Sequence, residues 1–226
     1  MWVPMTSNGS IKDKINCFNS LILLAPLNAN VKEFNKMLLD QLKSEEYISY
    51  SIDRLAEDES HAVPEEVLSS LSKPAFPGHK IHLKLGVPLL LLCNLRIPSG
   101  LCNGTRLLLT AIQPNVLKCK HMDGPNQFKS FLIPKIKLLY EEYKVIGARF
   151  YWDQFPVTLA YVMTIKKAQG QSFDTVGVCL PQEVFSHVQL YVSLSRIRNA
   201  AKIIICSLCP PGSKEIMNVV CKDLFN

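Results

Sequence analysis

A short polar segment, Thr164–Gly170, follows the apolar run Val157–Met163 and closes on a glycine. Ligands of α/β proteins bind outside the carboxyl ends of the sheet strands, where such a turn would lie. Gly170 permits a backbone conformation or a close approach that a side chain would forbid, and Lys166 and Lys167 add positive charge. These features suit contact with phosphate, either of a nucleotide or of a nucleic-acid backbone. An ordinary solvated strand-to-helix turn fits the same residues equally well.

Two arginines, Arg196 and Arg198, lie late in a predicted helix that Pro181 opens and that runs to about Asn199. Because they are two positions apart, they point to different faces, and at most one faces a given site. An arginine held by a helix could stabilise charge on a transferring phosphate. A cation near a helix C-terminus also complements the helix dipole. The local sequence by itself favours this second, more common role.

The sequence lacks the motifs with which an ATP-driven motor holds its nucleotide. Such a motor needs a glycine-rich loop ending in Gly-Lys-Ser/Thr and an apolar strand ending in acidic residues that hold magnesium. The nearest glycine pair, in Gly100–Thr105, is too closely spaced and no lysine follows it. The acidic pair Asp58 and Glu59 does not end a buried strand. We therefore expect that this chain does not hydrolyse ATP alone.

The eight cysteines are scattered through apolar segments, which is typical of buried thiols in a reducing compartment. Cys206 and Cys209 have the spacing of a metal-binding pair, but no second pair of ligands lies at a usual distance. Cys206 ends an apolar run, so packing at a strand end is the favoured interpretation. Zinc or redox chemistry at this pair is the minor alternative.

The elements that must position these residues show an α/β pattern near both ends of the chain. Leu21–Pro26 is wholly apolar, as expected of a strand buried on both faces of a parallel sheet. A helix with Asn30 as its N-cap is predicted next. Its apolar residues recur at helical spacing, at Val31, Phe34, Met37, Leu38 and Leu42. Thr175–Leu180 and Ala201–Leu208 are two further predicted strands of the buried type.

The middle of the chain has a different pattern of predicted elements. Pro64–Leu71 predicts a short amphipathic helix, and Ile136–Arg149, with mixed charge, is predicted as a linker. Strand-length segments separated by turn signals lie between them, at Ile81–Leu85, Pro88–Asn94, Thr105–Ile112, Val116–His121 and Gln127–Ile133. Several short strands at such close intervals suggest a small antiparallel β-barrel. The predicted fold class is α/β, interrupted by this barrel, with residues 1–77 and 154–226 in the α/β domain and 78–153 in the insert.

Composition narrows the class of protein. The chain is 48% hydrophobic and 19% charged, which supports a sizeable core and excludes a disordered chain. No run approaches the roughly 18 to 20 apolar residues of a membrane span, and Met1–Ser10 lacks the features of a secretory signal. We expect a soluble intracellular protein with no membrane partner. The net charge of +6 suits a nucleic-acid partner but supports one only weakly, and Lys43–Glu66 is acidic.

Ordered blocks of this sequence resemble the motifs of the petite-integration-frequency (PIF) DNA helicases. Phe155–Gln171 and Val184–Arg198 closely resemble motifs V and VI of that family, especially of the branch that includes helicases of Helitron transposons. Leu24–Asn35 resembles motif IV. The signature of the family's barrel insert is resembled by three stretches, Leu83–Pro88, Leu91–Leu95 and Gly100–Arg106. The blocks span most of the chain, so the resemblance is far more specific than a single short motif.

The resemblance implies the second RecA-like motor domain of a P-loop NTPase, with a Src-homology-three-like barrel inserted in it. It implies ATP-driven unwinding of DNA in the 5′-to-3′ direction, with ATP and Mg²⁺ bound mainly by an N-terminal domain that this sequence does not contain. Single-stranded DNA is the implied partner, together with a separate N-terminal helicase half if the helicase is split. The nucleus is the implied compartment, with the mitochondrion as the alternative. Roles in DNA repair, recombination and telomere maintenance follow from the same resemblance.

The family's functional positions are carried over by motif. Arg196 matches the arginine finger that reaches the γ-phosphate, and it is the implied catalytic residue. The implied nucleotide-binding positions are Gln169, Gly170 and Gln189, the last of which matches a motif VI glutamine that helps to hold the interface. The implied DNA-binding positions are Asn28, Thr164, Lys166 and Lys167. No residue is implied as a metal ligand.

Three positions depart from the family pattern. The family usually has His at Lys166, Ser at Ala168 and Gly at Val188. Loss of the His and the Ser removes two neutral hydrogen-bonding side chains, whereas Lys166 adds charge. We expect DNA contact to persist as an electrostatic attraction with less precise positioning.

Two classes of function remain open. The chain is either part of a catalytic helicase, as a truncated or split form, or a non-catalytic DNA-binding or partner-binding remnant of a transposon-derived helicase. The substituted motif V positions favour the second class. A barrel-type adaptor that uses Ile81–Ile133 alone is a third, minor alternative.

Overall fold

The parallel strands and the antiparallel strands of this chain fall into different parts of the computed structural model. The structure describes residues 9–55, 76–141, 149–181, 188–197 and 199–207, together with Ile216 and Val219. It divides into one unit of Met1–Gln41 and Tyr161–Asn226, called unit 1, and a second of Leu42–Ala160, called unit 2. Within the described part of the chain, no helix is both long and apolar enough for a membrane span.

The described helices and strands are, in chain order, α1 (Ile11–Ser20), β1 (Leu21–Ala25), α2 (Asn28–Asp40), β2 (Glu46–Tyr50), β3 (Ile52–Leu55), β4 (Lys80–Lys84), β5 (Pro88–Leu91), β6 (Arg106–Gln113), β7 (Val116–His121), β8 (Ser130–Pro134), β9 (Ile136–Glu141), β10 (Arg149–Gln154), β11 (Val157–Leu159), β12 (Val162–Thr164), β13 (Thr175–Leu180), α3 (Gln189–Leu194) and β14 (Ile203–Ser207).

Unit 1 contains a four-stranded sheet in the order β12-β1-β13-β14, in which every neighbouring pair is parallel. The predicted strands at Leu21–Pro26, Thr175–Leu180 and Ala201–Leu208 are confirmed, with ends shifted by a few residues. β1 lies between β12 and β13, and Ile22 and Leu24 on one face and Ala25 on the other are buried. This central position explains its uninterrupted apolar sequence, since a strand covered on both faces has no solvent side.

Helix α1 precedes β1 and begins with a capping box. The Ser10 hydroxyl accepts a hydrogen bond from the Asp13 amide, while the Asp13 carboxylate accepts one from the Ser10 amide. These bonds satisfy amide groups that a helix N-terminus otherwise leaves unpaired. Ile15 and Phe18 form the buried face of the helix. The Phe18 ring meets the Tyr161 ring edge-on, with centroids 5.6 Å apart, an arrangement that aromatic pairs prefer.

Helix α2 is confirmed, but the predicted N-cap is wrong. The helix begins at Asn28, and its N-cap is Leu27, which makes no side-chain capping bond. Asn30 therefore lies within the first turn, because the chain enters the helix directly from the short connection after β1.

A buried asparagine connects α2 to the edge strand β12. The Asn35 side chain is 3% exposed. Its amide nitrogen donates to the Val162 carbonyl at 2.9 Å, and its oxygen accepts from the Val162 amide at 3.0 Å. Val162 lies on the outer edge of the sheet, where a strand would otherwise leave backbone groups without partners. Asn35 thus supplies the hydrogen bonds that a further strand would have made.

Unit 2 is built from antiparallel strands. A five-stranded sheet has the order β11-β5-β6-β7-β8, a three-stranded sheet the order β3-β10-β9, and β2 pairs with β4. All five predicted strands of the middle region are confirmed individually. These five strands do not form one sheet in chain order. β4 pairs with β2, and β11 is the fifth strand of the large sheet. Leu89, Leu91, Leu107 and Leu108 are fully buried in this unit.

Two predictions for the end of unit 2 are wrong. The predicted linker Ile136–Arg149 contributes β9 and the first residue of β10, which pair with each other. Its mixed charge reflects strands with one solvated face, since Lys137 is exposed while Trp152 on β10 is buried. The apolar run Val157–Met163 is also not one element, because β11 and β12 belong to different sheets.

The predicted ranges 1–77, 78–153 and 154–226 differ from the two compact units. Residues 42–55 lie in unit 2, because β2 pairs with β4 and β3 pairs with β10. The functional assignment of the three ranges stays a prediction. The predicted helix Pro64–Leu71 lies outside the described residues.

Loss of the Asn35 amide should destabilise unit 1. In Asn35→Ala, the Val162 amide and carbonyl lose their partners, and we expect a loss of about 2–4 kcal/mol in the free energy of unfolding. Urea denaturation followed by circular dichroism measures this loss. Lys36→Ala, on the exposed face of the same helix, is the control and should change stability by less than about 0.5 kcal/mol. Equal effects of the two variants would contradict the role of Asn35.

Candidate functional site

The four parallel strands of unit 1 end at one edge of their sheet, here called the carboxyl edge. The strands reach it at Ala25, Thr164, Leu180 and Ser207. Asn28 follows β1 at the start of α2, and Thr164–Gly170 follows β12. Parallel alignment thus brings two of the predicted groups of site residues to the same edge, where α/β sheets bind their ligands.

The turn after β12 is a compact structure held by its own backbone. The Ile165 amide donates to the Ala25 carbonyl at 3.1 Å and so extends the pairing with β1. The Thr164 carbonyl accepts from the amides of Lys167, at 2.9 Å, and Ala168, at 3.2 Å. The Ile165 and Ala168 side chains are buried, which fixes the turn to the unit. The turn is therefore a rigid support for the side chains that it presents.

Gly170 ends this turn with φ 82°, in the left-handed region. A Cβ at Gly170 would meet no atom within 4 Å. The glycine is thus required for the backbone conformation and not for space, since residues with a Cβ adopt this region at a cost. Gln169 beside it is exposed.

The two lysines of the turn have different surroundings. Lys166 is exposed, whereas Lys167 is half-buried, and burial lowers the pKa of its ammonium group. A partly desolvated ammonium gains more from a nearby phosphate than a solvated one. Thr164, in contrast, is 8% exposed. Its hydroxyl oxygen accepts from the Lys167 amide at 3.3 Å, so in this conformation Thr164 supports the turn.

Arg196 is held against the end of the same turn. Its Nη1 donates to the Gln171 carbonyl at 3.2 Å, and its Nε to the Val192 carbonyl at 3.0 Å. Nη2 donates to the Ser195 hydroxyl at 2.8 Å. The backbone joins the two segments as well, because the Phe173 amide donates to the Arg196 carbonyl at 2.9 Å. The structure thus brings Arg196 to the turn that sequence analysis singled out.

Gln189 lies at the start of α3 and contacts the connection after β1. Its Nε2 donates to the Pro26 carbonyl at 3.3 Å. Its Oε1 is buried, and within the described part of the chain no hydrogen bond to it is found. Gln189 thus links the segment that carries Arg196 to the segment that carries Asn28.

The helix that carries these residues differs from its prediction. The predicted helix from Pro181 to Asn199 is described only as α3, Gln189–Leu194, and residues 182–187 and Arg198 lie outside the described part. The residue before α3, Val188, adopts the left-handed region with φ 66°. A β-branched side chain is strongly disfavoured there, which accounts physically for the glycine that the PIF resemblance places at this position.

Two residues that shape this site were not predicted from the sequence. Asn35 positions β12, and the carbonyl of Gln171 receives Arg196. Asn35 left a weak signal, because it lies on the apolar face of α2 between Val31 and Leu38. Gln171 gave no signal in the sequence, because its main-chain carbonyl accepts the hydrogen bond and every residue has such a carbonyl. In the described part of the chain, no group of three His, Cys, Asp or Glu residues could hold a metal ion.

Comparison with known proteins gives one consistent result. The family model described as "DNA helicase Pif1, 2B domain" matches residues 66–112. An ATP-dependent DNA helicase Pif1 from Bdellovibrio bacteriovorus is 31% identical over 180 residues, which cover 78% of this chain and 37% of that protein. The resemblance of this chain to the Pif1 helicases is thereby confirmed. Human PIF1 is 29% identical over 145 residues, which cover 59% of this chain and 20% of the human protein.

Solved Pif1 structures show the same fold. Bacteroides Pif1 bound to single-stranded DNA matches 94% of this chain and 48% of its own, with a TM-score of 0.68 and 21% identity. Bacteroides Pif1 in complex with ADP-AlF3 and single-stranded DNA matches 95% of this chain and 48% of its own, with a TM-score of 0.64 and 21% identity. The RecA-like α/β fold with a parallel sheet is thereby established. The chain spans less than half the length of these Pif1 relatives.

Two departures from the Pif1-family pattern have different structural settings. Ala168 is fully buried, so the replacement of Ser by Ala removes a hydroxyl from the interior of the turn. Lys166 is exposed, so the replacement of His by Lys adds charge to the surface of the turn.

Replacement of Val188 by glycine should stabilise the protein. A left-handed backbone conformation costs a residue with a Cβ roughly 1–2 kcal/mol, which glycine would not incur. Part of this stabilisation is offset, because glycine has more conformational freedom in the unfolded chain. We expect Val188→Gly to raise the free energy of unfolding by roughly 0.5–1 kcal/mol. The matched control is Val192→Gly within α3, which should lower it by a similar amount. Thermal denaturation of both variants gives the sign, and a destabilised Val188→Gly would contradict the strain at this position.

Proposed function

We propose that this chain forms the C-terminal motor portion of an ATP-dependent DNA helicase that moves 5′ to 3′ along single-stranded DNA. The observation that carries the proposal is the hydrogen bond between Arg196 and the Gln171 carbonyl, at 3.2 Å. It joins the implied arginine finger to the turn that carries Lys166 and Lys167. Contact with nucleotide and contact with DNA would therefore be coupled within a few residues.

The coupling can be described from the groups that Arg196 now contacts. To reach a γ-phosphate, the guanidinium must leave the Gln171 carbonyl and the Ser195 hydroxyl. Phosphate oxygens replace both acceptors with stronger, charge-assisted hydrogen bonds. Because the Phe173 amide donates to the Arg196 carbonyl, a shift of the Arg196 backbone would also move the end of the turn. Such a shift would change how the turn holds DNA.

The remaining predicted residues have supporting roles in this proposal. Gly170 and Gln169 face the nucleotide, and Gln189 holds the segment between them and the connection after β1. Asn28, exposed at the start of α2, contacts DNA together with the two lysines. Thr164 holds the turn in shape. ATP and Mg²⁺ would be bound mainly by an N-terminal helicase half, either preceding this chain or separate from it.

Unit 2 has a place in the same proposal. Its strands β4 and β5 and most of β6 lie in the region that matches the Pif1 2B-domain model. We propose that its antiparallel strands form the Src-homology-three-like insert of the motor.

A second function is favoured by a specific observation. Lys166 and Ala168 stand where the family usually has His and Ser, two neutral hydrogen-bonding side chains. A DNA-binding or partner-binding remnant of a transposon-derived helicase would keep the charge of the turn without the chemistry. This alternative predicts single-stranded DNA binding that no nucleotide alters.

The charge of the turn can be tested by the salt dependence of DNA binding. Each phosphate contact to a single strand contributes about 0.7 to the slope of log K against log salt concentration. We expect Lys166→Ala to weaken binding of an oligothymidine and to reduce this slope by about 0.7, as measured by fluorescence anisotropy from 50 to about 300 mM salt.

Lys36→Ala is the matched control, because Lys36 is exposed in the second half of α2 and lies away from the carboxyl edge. It should leave the affinity and the slope unchanged. If Lys166→Ala also leaves both unchanged, the turn is not the DNA contact.

The absence of a phosphate-binding loop leads to a prediction for ATP turnover. The purified chain alone should release no phosphate from ATP above background, with or without single-stranded DNA, because Arg196 can act only on a nucleotide held by other residues. A coupled phosphate-release assay measures this. Turnover that persists in Arg196→Ala identifies a contaminant, whereas turnover that Arg196→Ala abolishes would show that the chain is sufficient for the chemistry.

A further inference from the structure

Two cysteines are direct neighbours in the sheet of unit 1. Cys179 on β13 and Cys206 on β14 are register partners on adjacent parallel strands. Both are free thiols. Partners in a sheet project to the same face, and neighbouring strands lie about 4.8 Å apart. This spacing falls within the range of Cα–Cα distances, about 4.4–6.8 Å, that a disulfide can span.

The two thiols differ in access to solvent. Cys206 is exposed, and β14 is the last strand of the described sheet, with Ile204 on the same face 53% exposed. Cys179 is half-buried. Burial and, to a lesser degree, the neighbouring Cys206 raise the pKa of the Cys179 thiol to about 11. Cys206 is therefore the thiol that a reagent in solution meets first, and Cys179, mainly protonated at neutral pH, lies beside it.

The other described cysteines lack this arrangement. Cys119 is fully buried, and burial raises the pKa of its thiol to about 12. Its register partners are Leu109 and Phe131. Cys17 lies in α1, and Cys93 and Cys102 lie outside the strands. Among the paired strands of the described chain, only Cys179 and Cys206 place two thiols opposite each other.

We propose that Cys179 and Cys206 form an oxidation site for peroxides, at which an intramolecular disulfide joins β13 to β14. The Cys206 thiolate attacks one peroxide oxygen, the O–O bond breaks, and hydroxide leaves as Cys206 becomes a sulfenic acid. The Cys179 sulfur then attacks the sulfenic sulfur as its thiol proton leaves, the S–O bond breaks, and hydroxide leaves again. With the two thiol protons, the products are one disulfide and two waters. Both thiols are oxidised and one peroxide is reduced.

The position of the pair gives the disulfide a structural consequence. Cys179 and Cys206 each lie one residue before the end of their strand, next to the carboxyl edge. The chain between them includes α3 and Arg196. A bond between the two strands closes this stretch into a loop and ties β14 to the sheet by more than its backbone pairing. The oxidation site does not depend on the proposed helicase function.

The test uses the full chain, reduced and then treated with a small excess of hydrogen peroxide. Free thiols are alkylated, and the protein is digested with trypsin and analysed by mass spectrometry. We expect a linked pair of peptides, 168–196 with 203–214, that reduction with dithiothreitol separates. Cys206→Ser and Cys179→Ser should each abolish the linked pair, while Cys17→Ser should not.

Two further variants keep the result decisive. The second peptide also contains Cys209, so the link must persist in Cys209→Ser; a link lost there, or one between Cys206 and Cys209, overturns the proposal. In Cys179→Ser the sulfenic acid on Cys206 has lost its register partner in the described sheet, and dimedone should label it. Circular dichroism spectra matching the parent chain establish that the variants fold. Peroxide treatment that yields neither a linked pair nor a dimedone adduct also overturns it.

Discussion

The paired hydrogen bonds between the Asn35 side chain and the backbone of Val162 are the interaction on which the candidate site depends most directly. Val162 opens a strand of only three residues at the edge of the sheet. So short a strand gains little from its own pairing with β1, and among the described residues no other strand pairs with its outer edge. A buried amide that satisfies both groups fixes the strand in position and register. The turn that carries Lys166, Lys167 and Gly170 begins two residues later, so its position follows from Asn35.

A second constraint acts on the other side of the site. Arg196 is bonded to the Gln171 carbonyl, and Phe173 is bonded to the Arg196 carbonyl. These contacts join the segment after β12 to the segment after α3 by hydrogen bonds, although the two are far apart in sequence. Val188 enters α3 in a conformation that its side chain disfavours. The surrounding contacts therefore hold this residue against its own preference, and Gln189, bonded to the Pro26 carbonyl, is one of them.

In unit 2, a buried glutamine side chain connects several segments. Gln154 at the end of β10 is fully buried, and its side chain bonds to the Ser49 hydroxyl and to the backbone of Ser49 and His79. The amide oxygen of Gln154, which accepts from the Ser49 hydroxyl, also accepts from the Phe155 amide. A buried polar group of this kind is tolerated only when its partners are present. Here the partners come from β2, from the residue before β4 and from the residue after β10, so Gln154 connects segments that the chain separates by more than a hundred residues.

Much of the fold could be predicted from the sequence, because local patterns report whether a segment is buried. The uninterrupted apolar run of β1, the helical spacing in α2 and the close turn signals of the middle region each identified an element. They could not determine pairing, so the partners of β4 and β11 were not predicted, and the mixed charge of β9 concealed a strand. For the site, charge and glycine singled out the turn after β12, since both are visible in sequence, whereas Arg196 was identified only by the family resemblance. That Arg196 meets the Gln171 carbonyl, that Asn35 binds Val162 and that Cys179 lies opposite Cys206 was decided by tertiary structure alone. These contacts depend on strand order and register, which arise from burial and hydrogen bonding between distant segments and leave no local pattern in the chain.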